Sequence, residues 1–167
     1  MVTLGVYPGP YATQPSPRTA AAFRCLAKEA CLETDVVVPV PLHRNRQKER
    51  GSNQVELFAR PLASLLGLPF KPALLMRTRP RPEKHLLHYE EQWEAVRGAF
   101  AMKRDGRVDN LRVLLLDDVM TTGATLDACA KALREAGASS VLGLTVARAV
   151  RPVASDVVRF WKRKDAW

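Results

Sequence analysis

The stretch "VLLLDDVMTTGAT", Val113–Thr125, carries four aliphatic residues, two acids, two more apolar residues and a run of Thr and Gly. Val113 to Leu116 have the unbroken apolar character of a strand buried on both faces, as in a parallel sheet. Asp117 and Asp118 are expected where that strand leaves the sheet. The "TLDACAKALREAG" that follows, Thr125–Gly137, reads as a helix, with Gly137 suited to its C-terminal cap. The loop between them therefore sits at a helix N-terminus, where unsatisfied N–H groups and the helix dipole favour an anion. Gly123 lets the backbone turn and come close to a ligand, and Thr121, Thr122 and Thr125 add hydroxyl donors.

These features make a cup for a phosphate group. The two carboxylates upstream would repel phosphate but accept hydrogen bonds from vicinal sugar hydroxyls. They are also ligands of the kind that hydrated Mg2+ takes. The combination fits a ribose 5-phosphate that carries further phosphate.

Working outward, "DVVVPVPL", Asp35–Leu42, is a β-branched run ended by two prolines, which cannot donate to a ladder. The basic loop "HRNRQKERG" follows it, and its plainer reading is a solvated charged loop. Asn53 with Glu56 resembles a capping box. The helix it opens runs to about Leu66, and Pro61 inside it predicts a kink or a later start. "KPALLMR", Lys71–Arg77, reads as a further strand. Thr78–Phe100 is long for a plain connection, which suggests a lid or binding loop. A turn is expected at Asp105-Gly106, then a strand "LRVLLLDD" and, after the helix, a strand "SVLGLTVARAV". Near the N-terminus, "MVTLGVY" suggests a short strand and "TAAAFRCLAKEACLE" a helix. Strands alternating with helices indicate an α/β fold with a mainly parallel sheet, and ligands of such sheets bind beyond the carboxyl ends of the strands.

The 167 residues fit a single domain, and 47% hydrophobic content suffices for a core. A net charge of +9 points to an anionic partner, a phosphorylated small molecule or nucleic acid. Cys25, Cys31 and Cys129 form no CxxC pair, so neither a zinc site nor a disulfide framework is expected. With no membrane span and no secretory signal, the expected location is cytoplasmic. The tail, Arg151–Trp167, interleaves Phe160, Trp161 and Trp167 with cations, a pattern compatible with single-stranded DNA or with a packed C-terminal segment.

"VLLLDDVMTTGAT" resembles the phosphoribosyl pyrophosphate (PRPP) signature of type I phosphoribosyltransferases. "DVVVPVPLHRNRQKERGSNQVELFARPLASLLGLP", "RGAF" and "DDVMTTGATLDACAKALREAGASSVLGLTVAR" extend the resemblance to the competence protein F (ComF) branch, over roughly residues 35–148. The resemblance implies the type I phosphoribosyltransferase fold: a mainly parallel twisted sheet flanked by helices, with a hood, residues 77–100, over the C-terminal strand edges. It implies Mg2+ as cofactor. By similarity Asp117 and Asp118 are the catalytic acids, touching the ribose hydroxyls and the magnesium shell. Thr121, Thr122, Gly123, Ala124 and Thr125 would cradle the 5-phosphate, and Pro41, Leu42, His43 and Arg44 the pyrophosphate. Arg50, Gly51 and Asn53 match the family's RGxN segment, and Arg77 with Thr78 fits the start of the hood.

The chain departs from the family pattern in two places. Glu83, Gln92 and Ala95 are the nearest residues to the places where the hood usually carries Gln, Arg and Asn, and the four-cysteine zinc ribbon that many members carry at the N-terminus is not expected here. Thr121 occupies the place of an aspartate that handles a base proton in purine-salvage relatives, which disfavours purine salvage. Three readings follow: a Mg2+-dependent phosphoribosyltransferase acting in natural transformation, a non-enzymatic adaptor with a regulatory PRPP or nucleotide site, and a single-stranded DNA-binding accessory protein. The expected partners are PRPP, an acceptor of unassigned chemistry, a helicase-like DNA-uptake translocase, single-stranded DNA and a second copy of the chain.

Overall fold

In the computed structural model, Arg112–Met120 forms the middle of a parallel sheet; the structure describes residues 2–3, 34–42, 52–80 and 89–148. Its described elements are β1 (Val2–Thr3), β2 (Val36–Pro39), α1 (Gln54–Leu66), β3 (Leu75–Arg77), α2 (Tyr89–Glu94), β4 (Phe100–Met102), β5 (Arg112–Met120), α3 (Ala124–Glu135) and β6 (Ser140–Arg148). The strand order is β1-β6-β5-β2, and every pairing in this sheet is parallel. Phe70 adds a parallel bridge to Val37 on the far side of β2.

The apolar run of β5 is buried on both faces because each face meets a different layer. Side chains alternate along a strand. Val113 and Leu115 join Val36, Val38 and Val40 against Leu126, Cys129 and Leu133 of α3. Leu114 and Leu116 join Val37, Leu144 and Val146 against Val55, Ala59, Leu62 and Ala63 of α1. Among the described residues one helix thus covers each face, as the α/β pattern predicts.

Two expectations are corrected. The strand expected over Lys71–Arg77 forms only over Leu75–Arg77, and it pairs antiparallel with Phe100–Met102 in a two-stranded sheet apart from the parallel one. Leu75 and Phe100 bury their side chains in the α3-side core, so hydrophobic content alone did not distinguish the two settings. Also, β5 does not end at the acids but runs on through Val119 and Met120, which pair with Ala147 and Arg148.

Pro61 stays inside α1. It frees the carbonyl of Leu57, one turn back. Both residues are on the exposed side of the helix, so water can satisfy that carbonyl. The expected N-terminal helix at residues 19–33, the basic loop at 43–51 and the tail at 151–167 lie outside the described residues.

The chain enters β2 through Asp35, whose carboxylate takes a two-pronged hydrogen bond from the Arg112 guanidinium, 3.0 Å to Nε and 2.8 Å to Nη2, and also the Arg112 backbone N–H at 2.8 Å. This pins the starts of β2 and β5 together and sets their register. The Arg112 side-chain bonds hold the Asp35 carboxyl down, to about 2 from an ordinary 3.8. A depressed carboxyl stabilises the fold above its unfolded value, and that contribution is lost as pH falls through the folded value. Wild type is therefore expected to lose stability between pH 4 and 2 through this group, and Asp35→Asn to lack that part of the loss. Urea midpoints measured across that window check it; identical acid slopes would exclude the pair as a contributor.

Candidate functional site

The carboxyl end of β2 lies level with Leu116 of β5, just before the two acids. Pro39 pairs with Leu116, and the Val40 N–H donates to the Leu116 carbonyl at 2.7 Å. Pro41 and Leu42 therefore leave the sheet beside Asp117 and Asp118, and the two sequence-predicted loops share one edge. His43, Arg44, Arg50 and Gly51 lie outside the described residues. Asn53, buried, closes the base of their loop: its Nδ2 donates to the Val40 carbonyl at 3.0 Å, while its Oδ1 caps α1 by accepting from the Val55 N–H at 3.2 Å. One side chain thus ties the end of β2 to the start of α1.

The two acids are not equivalent. Asp117 is buried and falls on the α3 face of the sheet, in register with Thr145 of β6. Asp118 is half-buried. Each carboxylate holds the amide that follows it: Asp117 Oδ1 accepts from the Asp118 N–H at 2.9 Å, and Asp118 Oδ1 from the Val119 N–H at 2.7 Å. These bonds fix the acids at the strand end.

After Met120 the chain turns into α3 through Thr121, Thr122 and Gly123. Gly123 is the N-cap residue, with φ 84° and ψ −8°, and so offers α3 no capping side chain. The Thr122 hydroxyl accepts from the Ala124 N–H at 3.3 Å. A helix start with this little side-chain capping keeps its dipole and amides available to an anion. Thr121 is exposed, and its hydroxyl donates to Gln92 Oε1 of α2 at 3.5 Å, so α2 reaches the turn that leads into α3. A Cβ at Gly123 would meet nothing closer than Met120 Sδ at 3.9 Å, so only the left-handed backbone resists a side chain. Gly123→Ala is expected to destabilise the chain by about 1–2 kcal/mol. Thermal unfolding checks it, and an unchanged melting temperature would show that the turn relaxes.

Arg77, at the end of β3, is buried. Its guanidinium packs 5.0 Å from the Phe100 ring centroid, and its Nε donates to the Arg79 carbonyl at 2.9 Å. Its charge and that of Asp117 both reach the Cys129 thiol. Burial pushes this thiol up, Asp117 adds to the shift and Arg77 opposes it. Cys129 is thus a buried core residue whose thiol stays protonated.

Among the described residues no group of three or more His, Cys, Asp or Glu side chains converges on one point. Two neighbouring carboxylates, completed by ligand oxygens and water, are nonetheless a donor set that Mg2+ accepts. Sequence reasoning missed Thr145. It sits in an apolar strand, where a β-branched residue reads simply as a strand former.

This edge invites comparison with known proteins. The family model described as the phosphoribosyl transferase domain matches residues 53–156. The chain belongs to that phosphoribosyl transferase family. Competence protein F of Haemophilus influenzae is 31% identical over 116 residues, 69% of this chain and 51% of that protein. DNA utilization protein YhgH of Salmonella typhi is 31% identical over 137 residues, 77% of this chain and 60% of that protein. These relatives bear out the ComF resemblance, and the chain spans a little over half of their length. A solved adenine phosphoribosyltransferase, 19% identical, superposes with a TM-score of 0.51 over 77% of this phosphoribosyl transferase-family chain and 66% of its own, which supports the fold. No helix among the described residues is long and apolar enough to cross a membrane.

Proposed function

We infer that this chain binds PRPP with Mg2+ at the shared edge of β2 and β5 and serves DNA uptake in natural transformation. The observation that carries the PRPP reading is the acid pair of β5, Asp117 buried and Asp118 half-buried, followed closely by the left-handed Gly123 turn into α3. The transformation reading rests on the names of the relatives, a competence protein and a DNA utilization protein.

In this reading the Asp117 and Asp118 carboxylates accept hydrogen bonds from the ribose hydroxyls. The 5-phosphate lies against the Thr121–Thr125 turn and the first amides of α3. The pyrophosphate meets the loop from Pro41 through Arg44, whose base Asn53 holds closed. Mg2+, when bound, would neutralise the pyrophosphate oxygens and so make a better leaving group. The reaction that such a site supports is displacement at the anomeric carbon. An acceptor's electron pair forms the new bond to that carbon, the bond to the pyrophosphate oxygen breaks, and its pair leaves with pyrophosphate. Positive charge that develops on the ribose ring is stabilised by the fixed acids. Residues 77–100 would close over the acceptor as a hood.

Gln92, in contact with Thr121, and Ala95 replace the hood's usual Arg and Asn. This favours a second reading, in which PRPP binding regulates an adaptor and no transfer follows. Equilibrium dialysis with labelled PRPP and Mg2+ tests the binding. PRPP should be retained, and ribose 5-phosphate should compete more weakly because it lacks the pyrophosphate. Failure to retain PRPP overturns the reading. Pyrophosphate release on incubation would then decide between transfer and regulation.

A further inference from the structure

Thr145 is 1% exposed, and its hydroxyl has no hydrogen-bond partner among the described residues. A buried, unsatisfied hydroxyl destabilises a fold, so one in a core strand calls for a reason. Its position supplies one. Leu144 and Val146 point into the α1-side core, so Thr145 points the other way, towards α3. On that face its register partner on β5 is Asp117. Neighbouring strands lie about 4.8 Å apart, so the hydroxyl and the carboxylate stand on adjacent strands of the same face. In the structure one Asp117 oxygen is engaged by the Asp118 N–H.

We propose that Thr145 is a positioning residue for Asp117: when ligand engages the outer side of the carboxylate, the Thr145 hydroxyl donates to it from beneath and fixes its orientation. The proposal rests on the PRPP reading of the site. Leu126 covers Gly143 on the same face, 3.6 Å from where a Cβ would sit, and Asp117 is the polar register neighbour of the buried Thr145 there.

The test uses Thr145→Val, which keeps the shape and removes the hydroxyl, together with Thr145→Ser, which keeps the hydroxyl. PRPP affinity with Mg2+ and thermal unfolding without ligand are measured on the full chain. Thr145→Val is expected to lose about tenfold or more in affinity while melting at or above the wild-type temperature, because an unsatisfied group has gone. A merely structural residue would lower stability and affinity together. Thr145→Ser should recover most of the affinity. In an Asp117→Ala background, where the acceptor is gone, the Val substitution should cost nothing further. Wild-type affinity in Thr145→Val overturns the proposal and leaves the PRPP reading standing. A wild-type protein that binds no PRPP overturns both.

Discussion

Replacing Asp117 and Asp118 together by asparagine is expected to abolish the rise in melting temperature that PRPP and Mg2+ give the wild type. Ligand that binds only the folded state raises its stability in proportion to the logarithm of concentration over Kd. Each acid would contribute a charge-assisted hydrogen bond to the sugar, of about 1.5–3 kcal/mol. Losing both corresponds to an affinity at least about 100-fold weaker. Asparagine keeps the shape and can still accept from the next backbone amide, so the strand end should survive. The variant's melting temperature without ligand should therefore stay near that of the wild type. The two single variants should differ: Asp117 is buried beside Thr145 and Asp118 half-buried, so Asp117→Asn should weaken binding more. An undiminished thermal response in the double variant would remove the acids from the site.

The largest effect on stability is expected at Leu115. Its side chain is fully buried on the α3 face of β5, between the register neighbours Val38 and Gly143. Leu115→Ala leaves a hole that Gly143, with no side chain, cannot fill. The expected loss is about 2–5 kcal/mol, a large part of the 5–15 kcal/mol typical of a domain. Leu57→Ala is the control. Leu57 is 47% exposed on the outer side of α1, and its removal should change stability by less than about 0.5 kcal/mol. Urea unfolding of the two variants checks both numbers. Equal small losses would mean that β5 is not the centre of the core.

Much of this architecture is legible in the sequence, because it is encoded locally. Val36–Val38 and Val113–Leu116 are unbroken apolar runs, and the structure buries both faces of each. Gly123 and Ala124 follow the acids closely enough that a turn and a helix start must fall there, and α3 does begin at Ala124. Asn53 stands ahead of an amphipathic run and caps it. What was not legible depends on partners distant in sequence. Leu75–Arg77 has the composition of a parallel-sheet strand, and only its antiparallel meeting with Phe100–Met102 reveals a separate sheet. β5 continues past the acids because Val119 and Met120 find Ala147 and Arg148, a pairing that no local pattern records. Asp35 and Arg112 are 77 residues apart, and nothing near either one announces the other.

The candidate site divides in the same way. The acids and the threonine-glycine turn form one contiguous motif, legible as such. Their setting is not contiguous: Thr145 beside Asp117 on the next strand, Gln92 against Thr121 and Asn53 bonded to the end of β2 come from three other segments. Chemistry-bearing residues announce themselves by type and spacing. Residues that position them look like ordinary strand, helix or cap residues until register and burial are known.

Calorimetric titration of PRPP into the wild-type chain, with and without Mg2+, addresses the central claim most directly. The site described here predicts a saturable isotherm with one PRPP per chain in the presence of Mg2+, much weakened when Mg2+ is withheld. No heat of binding with Mg2+ at millimolar PRPP would contradict it, leaving the acids and the Gly123 turn as scaffold.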